Sequence, residues 1–279
     1  MSTPLAPGVR LLAVHAHPDD ETLATGVALA QHRVWGDEVH VVTATLGEEG
    51  EVIPDELAHL EGQDGLTDVR RAELAAAMDT LGVQHHFLGG DPPSWRDSGM
   101  AGSAAASHPR AFAGAPVAEP ASVLSAQIRD IAPDVVVTYD PDGGYAHPDH
   151  IQTHRVVVAA LSDLPVEDRP AGFMVLTPRS WAVADREWLR RHDSLDASLT
   201  VPTATDPYPP SVVPDEMVDH VLDPEAHGET AAAVLGLRDA ALRHHRTQVT
   251  VYDGYYALSN DIAARLARRE GYARLPGLG

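Results

Sequence analysis

Apolar residues gather in four short runs: Val9–Val14, Val39–Ala44, His86–Leu88 and Val135–Thr138. Continuous apolar runs of this length, rather than alternating ones, predict strands buried on both faces. Between and after them, apolar positions recur three and four apart over Thr22–Trp35, Thr67–Leu81, Ser122–Ile131 and Ile151–Leu161, which predicts helices. Strand alternates with helix, so the chain reads as an α/β protein. It is expected to have a Rossmann-like, doubly wound, mostly parallel sheet with helices on both faces. Right-handed crossovers would align the carboxyl ends of the strands along one edge, where such sheets bind ligands.

Two inserts break this rhythm. "GEEGEVIPDELAHLEGQDGLTD" (47–68) is acidic and punctuated by glycine, and 89–119 is rich in Gly, Ala, Ser and Pro. Both follow predicted strands, so both should hang over the ligand edge, and their length favours substrate-binding loops. Residues 163–227 then carry many prolines, among them "DPYPPSVVP", and few clear helices. Two further helices are expected around Glu229–His245 and Asn260–Glu270. The chain is therefore divided into a core over residues 1–170 and a smaller C-terminal segment over 171–279, packed on the core and completing its cleft.

Composition removes several kinds of chemistry. The 279 residues are 44% hydrophobic, enough for a normal core. Twenty basic against 41 acidic side chains give a net charge of −21, and every basic one is arginine. Without lysine there is no Schiff base and no P-loop lysine; without cysteine there is no thiol nucleophile, disulfide or thiolate metal site. An acidic surface repels nucleic acid and anionic lipid, although the acidity could equally serve solubility alone. No membrane-spanning stretch and no signal-peptide pattern is read, so a cytoplasmic location is expected. Homo-oligomerisation is possible and not readable.

"LLAVHAHPDDETLATG" (11–26) ends its apolar run in two histidines, two aspartates and a glutamate. A helix cap needs only one carboxylate. "VVVTYDPDGGYAHPDH" (135–150) repeats the design of apolar run, turn, His-Pro-Asp and helix. A lone histidine in such a loop is ordinarily a structural hydrogen-bonder. Strands one and four of a doubly wound sheet can be neighbours, which would bring both loops together. Histidine and aspartate ligands with an open position suit catalytic zinc. Ferrous iron or cobalt could occupy the same donors, and spacing alone leaves several metal hydrolases open.

"AHPDDE" (16–21) with "HPDH" (147–150) resembles the LmbE-like, or PIG-L, de-N-acetylase superfamily. "VVTATLGEEGEVI" (41–53), "WRDSGMAG" (95–102) and "TQVTVYDGYYALSN" (247–260) resemble its mycothiol-biosynthesis deacetylase branch, which removes acetate from N-acetylglucosaminyl-inositol. The matching blocks cover about residues 9–160 and 240–260, leaving 163–227 unaligned. The resemblance implies a catalytic core over residues 1–170, one zinc ion per chain (or ferrous iron) and a small amino-sugar inositol substrate. It implies His17, Asp20 and His150 as metal ligands and Asp19 as general base. His147 would stabilise the oxyanion and protonate the leaving amine, oriented and kept charged by Asp149, with Tyr145 as a mobile partner of the oxyanion. Arg70, Asp97, Glu51 and Gln248 would contact the substrate.

Each position has a plainer alternative. Asp97 could form a local turn beside Arg96, Arg70 could be a solvated helix-start arginine, Tyr145 could pack over its glycine loop, and Glu51 could face only water. Trp95 could stack on a sugar or simply anchor its loop. His15, His85, His86, His244 and His245 are not expected to be ligands. Among rival activities, a mycothiol S-conjugate amidase would use the same chemistry, though "LGEEGEVI" and "WRDSGM" fit the deacetylases better. A sugar-binding protein without catalysis should have lost Asp19 or His147. A metal phosphoesterase sits uneasily with acidic loops and no lysine.

Overall fold

The computed structural model describes residues 6–63 and 65–278. Its strands are β1 (Leu11–His15), β2 (Val39–Thr43), β3 (Gln84–Phe87), β4 (Val135–Thr138), β5 (Ala171–Pro178), β6 (Val212–Val213), β7 (His220–Leu222), β8 (Thr250–Val251), β9 (Tyr255–Ala257), β10 (Ala263–Arg265) and β11 (Glu270–Arg274). The helices are α1 (Asp20–Ala24), α2 (Gly26–Trp35), α3 (Gly65–Leu81), α4 (Ala118–Ile131), α5 (Gly143–Ala146), α6 (Pro148–Ser162), α7 (Arg179–Arg190) and α8 (Ala231–Leu242).

The main sheet runs β3-β2-β1-β4-β5-β11-β7, with β6 beside β5, and β8–β10 form a small antiparallel sheet. β1 lies parallel between β2 and β4, Leu11 facing Val39 on one side and Val135 on the other. The order reverses here, so the loops after β1 and β4 meet at the switch point where doubly wound sheets bind ligands. β5 continues the parallel part, whereas β11 runs antiparallel to β5 and β7. The expected mostly parallel α/β sheet is therefore present, with an antiparallel extension.

Burial on both faces follows from the pleat, which sends alternate side chains to opposite sides. Leu11 and Ala13 of β1 pack with Val27 and Leu29 of α2 and Leu74 of α3. Leu12 and Val14 face the other way, against Leu124 and Ile128 of α4 and Val156 of α6. Fully burying such a leucine stabilises the fold by roughly 1.5–3 kcal/mol. That is the reason the apolar runs are continuous.

The structure corrects four expectations. The third strand is not His86–Leu88 buried on both faces: β3 is an edge strand over Gln84–Phe87 with only Phe87 buried, because among the described residues one side of it has no strand neighbour in the sheet. The single helix over Thr22–Trp35 is two, broken at Thr25, whose hydroxyl donates to the Glu21 carbonyl (2.9 Å) and lies 2.8 Å from His15 Nε2. A threonine hydroxyl offers the backbone this local alternative to a continuous helix. Asn260–Glu270 is not a helix: it contains β10 and the first residue of β11, because pairing with neighbouring strands overrides the helical preference of alanine and arginine. The proline-rich stretch 163–227 contains both a long strand, β5, and a 12-residue helix, α7. Residues 171–279 also extend the main sheet through β5, β6, β7 and β11, besides packing on it.

Candidate active site

The two histidine-bearing loops are built by different local devices. After β1, Asp19 precedes α1 and puts Asp20 and Glu21 into its first turn. After β4, Asp140 Oδ1 and Oδ2 accept the N–H groups of Asp142 and Gly144 (2.8 Å each), which coils the Gly-Gly turn. Gly143 has φ +65°, and a Cβ there would stand 2.7 Å from Ile151 N and 2.8 Å from His150 Cβ. Pro148 then starts α6 at a position suited to its fixed φ, and the ring of His147 caps the helix by accepting the Asp149 N–H at Nδ1 (3.2 Å). One helical turn thus carries His147, Asp149 and His150.

His17 Nδ1, Asp20 Oδ2 and His150 Nε2 converge in a triangle with sides of 3.1, 3.2 and 3.3 Å. Donor atoms about 2.0–2.1 Å from a tetrahedral ion stand about 3.3 Å apart, so this donor set fits a metal. Wider sets can be drawn from His17, His147 and His150, or from His17, Asp97 and Asp149. The second of these uses the far nitrogen of His17: Nε2 lies 3.3 Å from Asp149 Oδ2 and 3.4 Å from Asp97 Oδ1. With a proton on Nε2 shared by those carboxylates, the Nδ1 lone pair is free to face Asp20 and His150. This is the usual carboxylate support of a metal-bound histidine.

The charges agree with a cation-binding centre. Burial opposes charge on His17, but Asp97, Asp149 and Asp20 outweigh it and raise its pKa well above the ordinary value. Burial likewise opposes ionisation of Asp20, and His150 and His17 overcome it, holding that carboxyl well below its ordinary range. A metal ion would take the place of the His17 Nδ1 proton. Asp19 behaves differently: burial, only partly offset by Arg70, pushes it up to about 7. His147 is lowered to about 3 by burial and then by repulsion from His17 and His150.

A cleft of about 1010 Å³ is lined by His17, Asp19, Asp20, Glu51, Arg70, Asp97, Tyr145, His147, His150 and Gln248. Asp149 alone of the eleven sequence candidates does not line it. Its carboxylate is buried and accepts the Ser98 N–H (2.8 Å), facing His17 rather than the ring of His147. The hydrogen bond between Asp149 and the ring of His147 is the backbone one, and the Asp149 carboxylate only partly offsets the burial that lowers the His147 pKa. Arg70 is buried, not solvated: it donates to the carbonyls of Gly47 and Pro18, and its guanidinium fills the space a Gly47 side chain would need. Asp97 is buried too, with its oxygens on the N–H groups of Gly99 and Glu49. Glu51 and Gln248 meet across the cleft rim, the Gln248 amide donating to the Glu51 carbonyl (2.9 Å). Tyr145 is 50% exposed, with its ring centroid 5.0 Å from that of His150. Trp95 is buried against Phe112 and anchors its loop.

Several site residues escaped the sequence reading. Tyr139 stacks on His150 (centroids 4.2 Å apart, 12° between planes), and its hydroxyl accepts the Ala16 N–H (3.0 Å), joining the two loops. Glu21 and His245 form a buried pair at 3.0 Å. Trp181, Asp185, Arg265 and Arg268 extend the cleft lining into the C-terminal segment. The first two lay inside the quoted motifs; the others carried no motif at all.

Comparison with known proteins agrees with this geometry. The PIG-L family, described as GlcNAc-PI de-N-acetylase, matches residues 12–161. A 1D-myo-inositol 2-acetamido-2-deoxy-alpha-D-glucopyranoside deacetylase of Rhodococcus opacus is 44% identical, covering 96% of this chain and 92% of its own. Its namesake in Thermobifida fusca is 42% identical, covering 96% and 93%. Among solved structures, the N,N'-diacetylchitobiose deacetylase of Pyrococcus horikoshii superposes with a TM-score of 0.56 at 19% identity, over 96% of this chain and 84% of that one. At that identity the likeness is one of fold.

Proposed function

Because the chain belongs to the PIG-L (GlcNAc-PI de-N-acetylase) family, we propose that it is a metal-dependent hydrolase of 1D-myo-inositol 2-acetamido-2-deoxy-α-D-glucopyranoside. It would release acetate and leave glucosaminyl-inositol, a step of mycothiol biosynthesis. The observation that carries this reading is the donor triangle of His17, Asp20 and His150, flanked in one cleft by Asp19 and His147. Those three residues would hold the ion, zinc by donor type with ferrous iron as the alternative, and when bound it would supply Lewis acidity and lower the pKa of water.

The chain's own groups supply the rest. Asp19, with its carboxyl raised to about 7, is matched to accept the proton of the attacking water near neutrality. With Nδ1 of His147 occupied by the Asp149 N–H, its proton sits on Nε2, where it can donate to the oxygen of the tetrahedral intermediate. The neutral ring donates this hydrogen bond without losing its proton, and the proton that Asp19 takes from water is the one passed on to the departing amine, so the transfer balances within one turnover. Tyr145, exposed on its glycine turn, approaches the same oxygen from the rim. Arg70, Asp97, Glu51 and Gln248 contact the sugar and inositol hydroxyls. An uncharged polyol suits a cleft in which Arg70 is already engaged by two carbonyls.

Specificity is tested by comparing kcat/KM for the N-acetylglucosaminyl-inositol with that for a mycothiol S-conjugate. The reading requires preference for the acetamide by at least about tenfold, roughly 1.4 kcal/mol of transition-state binding. A preference for the conjugate would keep the catalytic groups and overturn the substrate.

A further inference from the structure

Glu21 and His245 are wholly buried, lie outside the cleft lining and have no part in the chemistry above. They nevertheless bear directly on Asp19. That residue has φ 107° and ψ −34°, in the half of backbone space that a side chain with a Cβ disfavours. Such a conformation costs on the order of 1–3 kcal/mol and persists only where its surroundings hold it. The Asp19 N–H donates to Glu21 Oε2 (3.0 Å). The other oxygen, Oε1, accepts from the Thr22 hydroxyl (2.6 Å) and faces His245 Nε2 (3.0 Å). Both carboxylate oxygens are thereby engaged, so the group cannot turn away from Asp19. His245 is itself fixed: its N–H donates to the Leu242 carbonyl and its own carbonyl accepts the N–H groups of Gln248 and Val249.

We propose that the Glu21–His245 pair is a positioning device that locks Asp19 into its strained conformation and aims its carboxylate into the cleft, using the C-terminal segment as the anchor. The proposal rests on Asp19 as the base. Glu21 and His245 touch no reacting atom, so they are positioning residues, and their loss should slow turnover without weakening substrate or metal binding.

The test compares Glu21→Gln, His245→Leu, His245→Gln and Asp19→Asn for kcat, KM, bound metal and thermal unfolding. Glu21→Gln keeps the shape but turns one acceptor into a donor, and His245→Leu removes the anchor. Each should lower kcat by roughly 10- to 100-fold, the scale of a 1 Å misplacement, with KM within about twofold and metal content unchanged. His245→Gln restores a nitrogen near the Nε2 position and should recover most of the turnover. If Glu21→Gln does not fold, the contrast between His245→Leu and His245→Gln decides alone. Wild-type kcat in Glu21→Gln, a raised KM or lost metal in place of lost kcat, or equal loss in both His245 variants would overturn the proposal. Asp19→Asn separates the two claims: near-normal turnover there removes the base assignment, whereas an inactive Asp19→Asn beside a fully active Glu21→Gln removes only the positioning role.

Discussion

Glu270, the first residue of β11, offers a quantitative test of how the two halves of the chain are joined. Its carboxylate oxygens accept the N–H groups of Val27 (2.7 Å) and Ala28 (3.0 Å) in the first turn of α2, and the Tyr272 hydroxyl donates to it as well. Burial outweighs these donors and pushes the carboxyl from its ordinary 4.5 up to about 7. An acid raised in this way binds its proton more tightly in the folded than in the unfolded chain. The stability it contributes is complete below pH 4.5, declines as pH rises, and is lost above about 7. At about 1.36 kcal/mol per tenfold change, the full span is about 3 kcal/mol. Glu270→Gln removes the titration while keeping the size of the side chain. Urea unfolding of both proteins from about pH 5 to about pH 8 should therefore give a difference, wild type minus variant, that falls by about 2–3 kcal/mol with m unchanged. Subtraction cancels the other titrating groups and any pH-dependent metal binding common to both. A difference that stays flat, or that grows with pH, would mean the helix terminus keeps Glu270 ionised and would refute the reasoning.

Two further substitutions probe the site and its scaffold. Gly143→Ala places a Cβ 2.7 Å from Ile151 N at a residue with φ +65°; it should cost about 1–3 kcal/mol of stability and lower metal loading by displacing His150, as read by urea unfolding and metal analysis. Phe112 is fully buried beside Trp95 under the loop that carries Asp97. Phe112→Ala should destabilise by about 3–5 kcal/mol in thermal or urea unfolding, and a loss below about 1 kcal/mol would mean that the loop is anchored elsewhere.

The first half of the chain was legible because β1, β2 and β4 are buried on both faces, which forces continuous apolar runs. Val135–Thr138 has the predicted bounds, and β1 and β4 are the predicted neighbours. The first His-Pro-Asp loop was legible for a different reason, five ionisable groups within seven residues, which exceeds any structural need, and the second because it repeats the design. The second half hid its elements. α7 buries little beyond Arg186 and Leu189, and five of its twelve residues are charged, so it reads as a polar stretch. Residues 260–270 look helical because alanine and arginine favour helix, and pairing makes them extended: β10 with the adjacent β9, and Glu270 with Leu222 of β7. Burial of Arg70 and Asp97 was equally invisible, since most of their partners are backbone groups, of Gly47 and Pro18 for Arg70 and of Glu49 and Gly99 for Asp97. Backbone partners leave no mark on residue type. The turn of Asp149 away from the ring of His147 depends on the Ser98 N–H, 51 residues upstream.

The most direct measurement of the central claim is amine release from N-acetylglucosaminyl-inositol by the purified protein, before chelation, after chelation and after return of zinc. The account predicts turnover that chelation abolishes and zinc restores. Turnover that survives complete removal of metal, or a zinc-loaded protein that releases no amine, would contradict it.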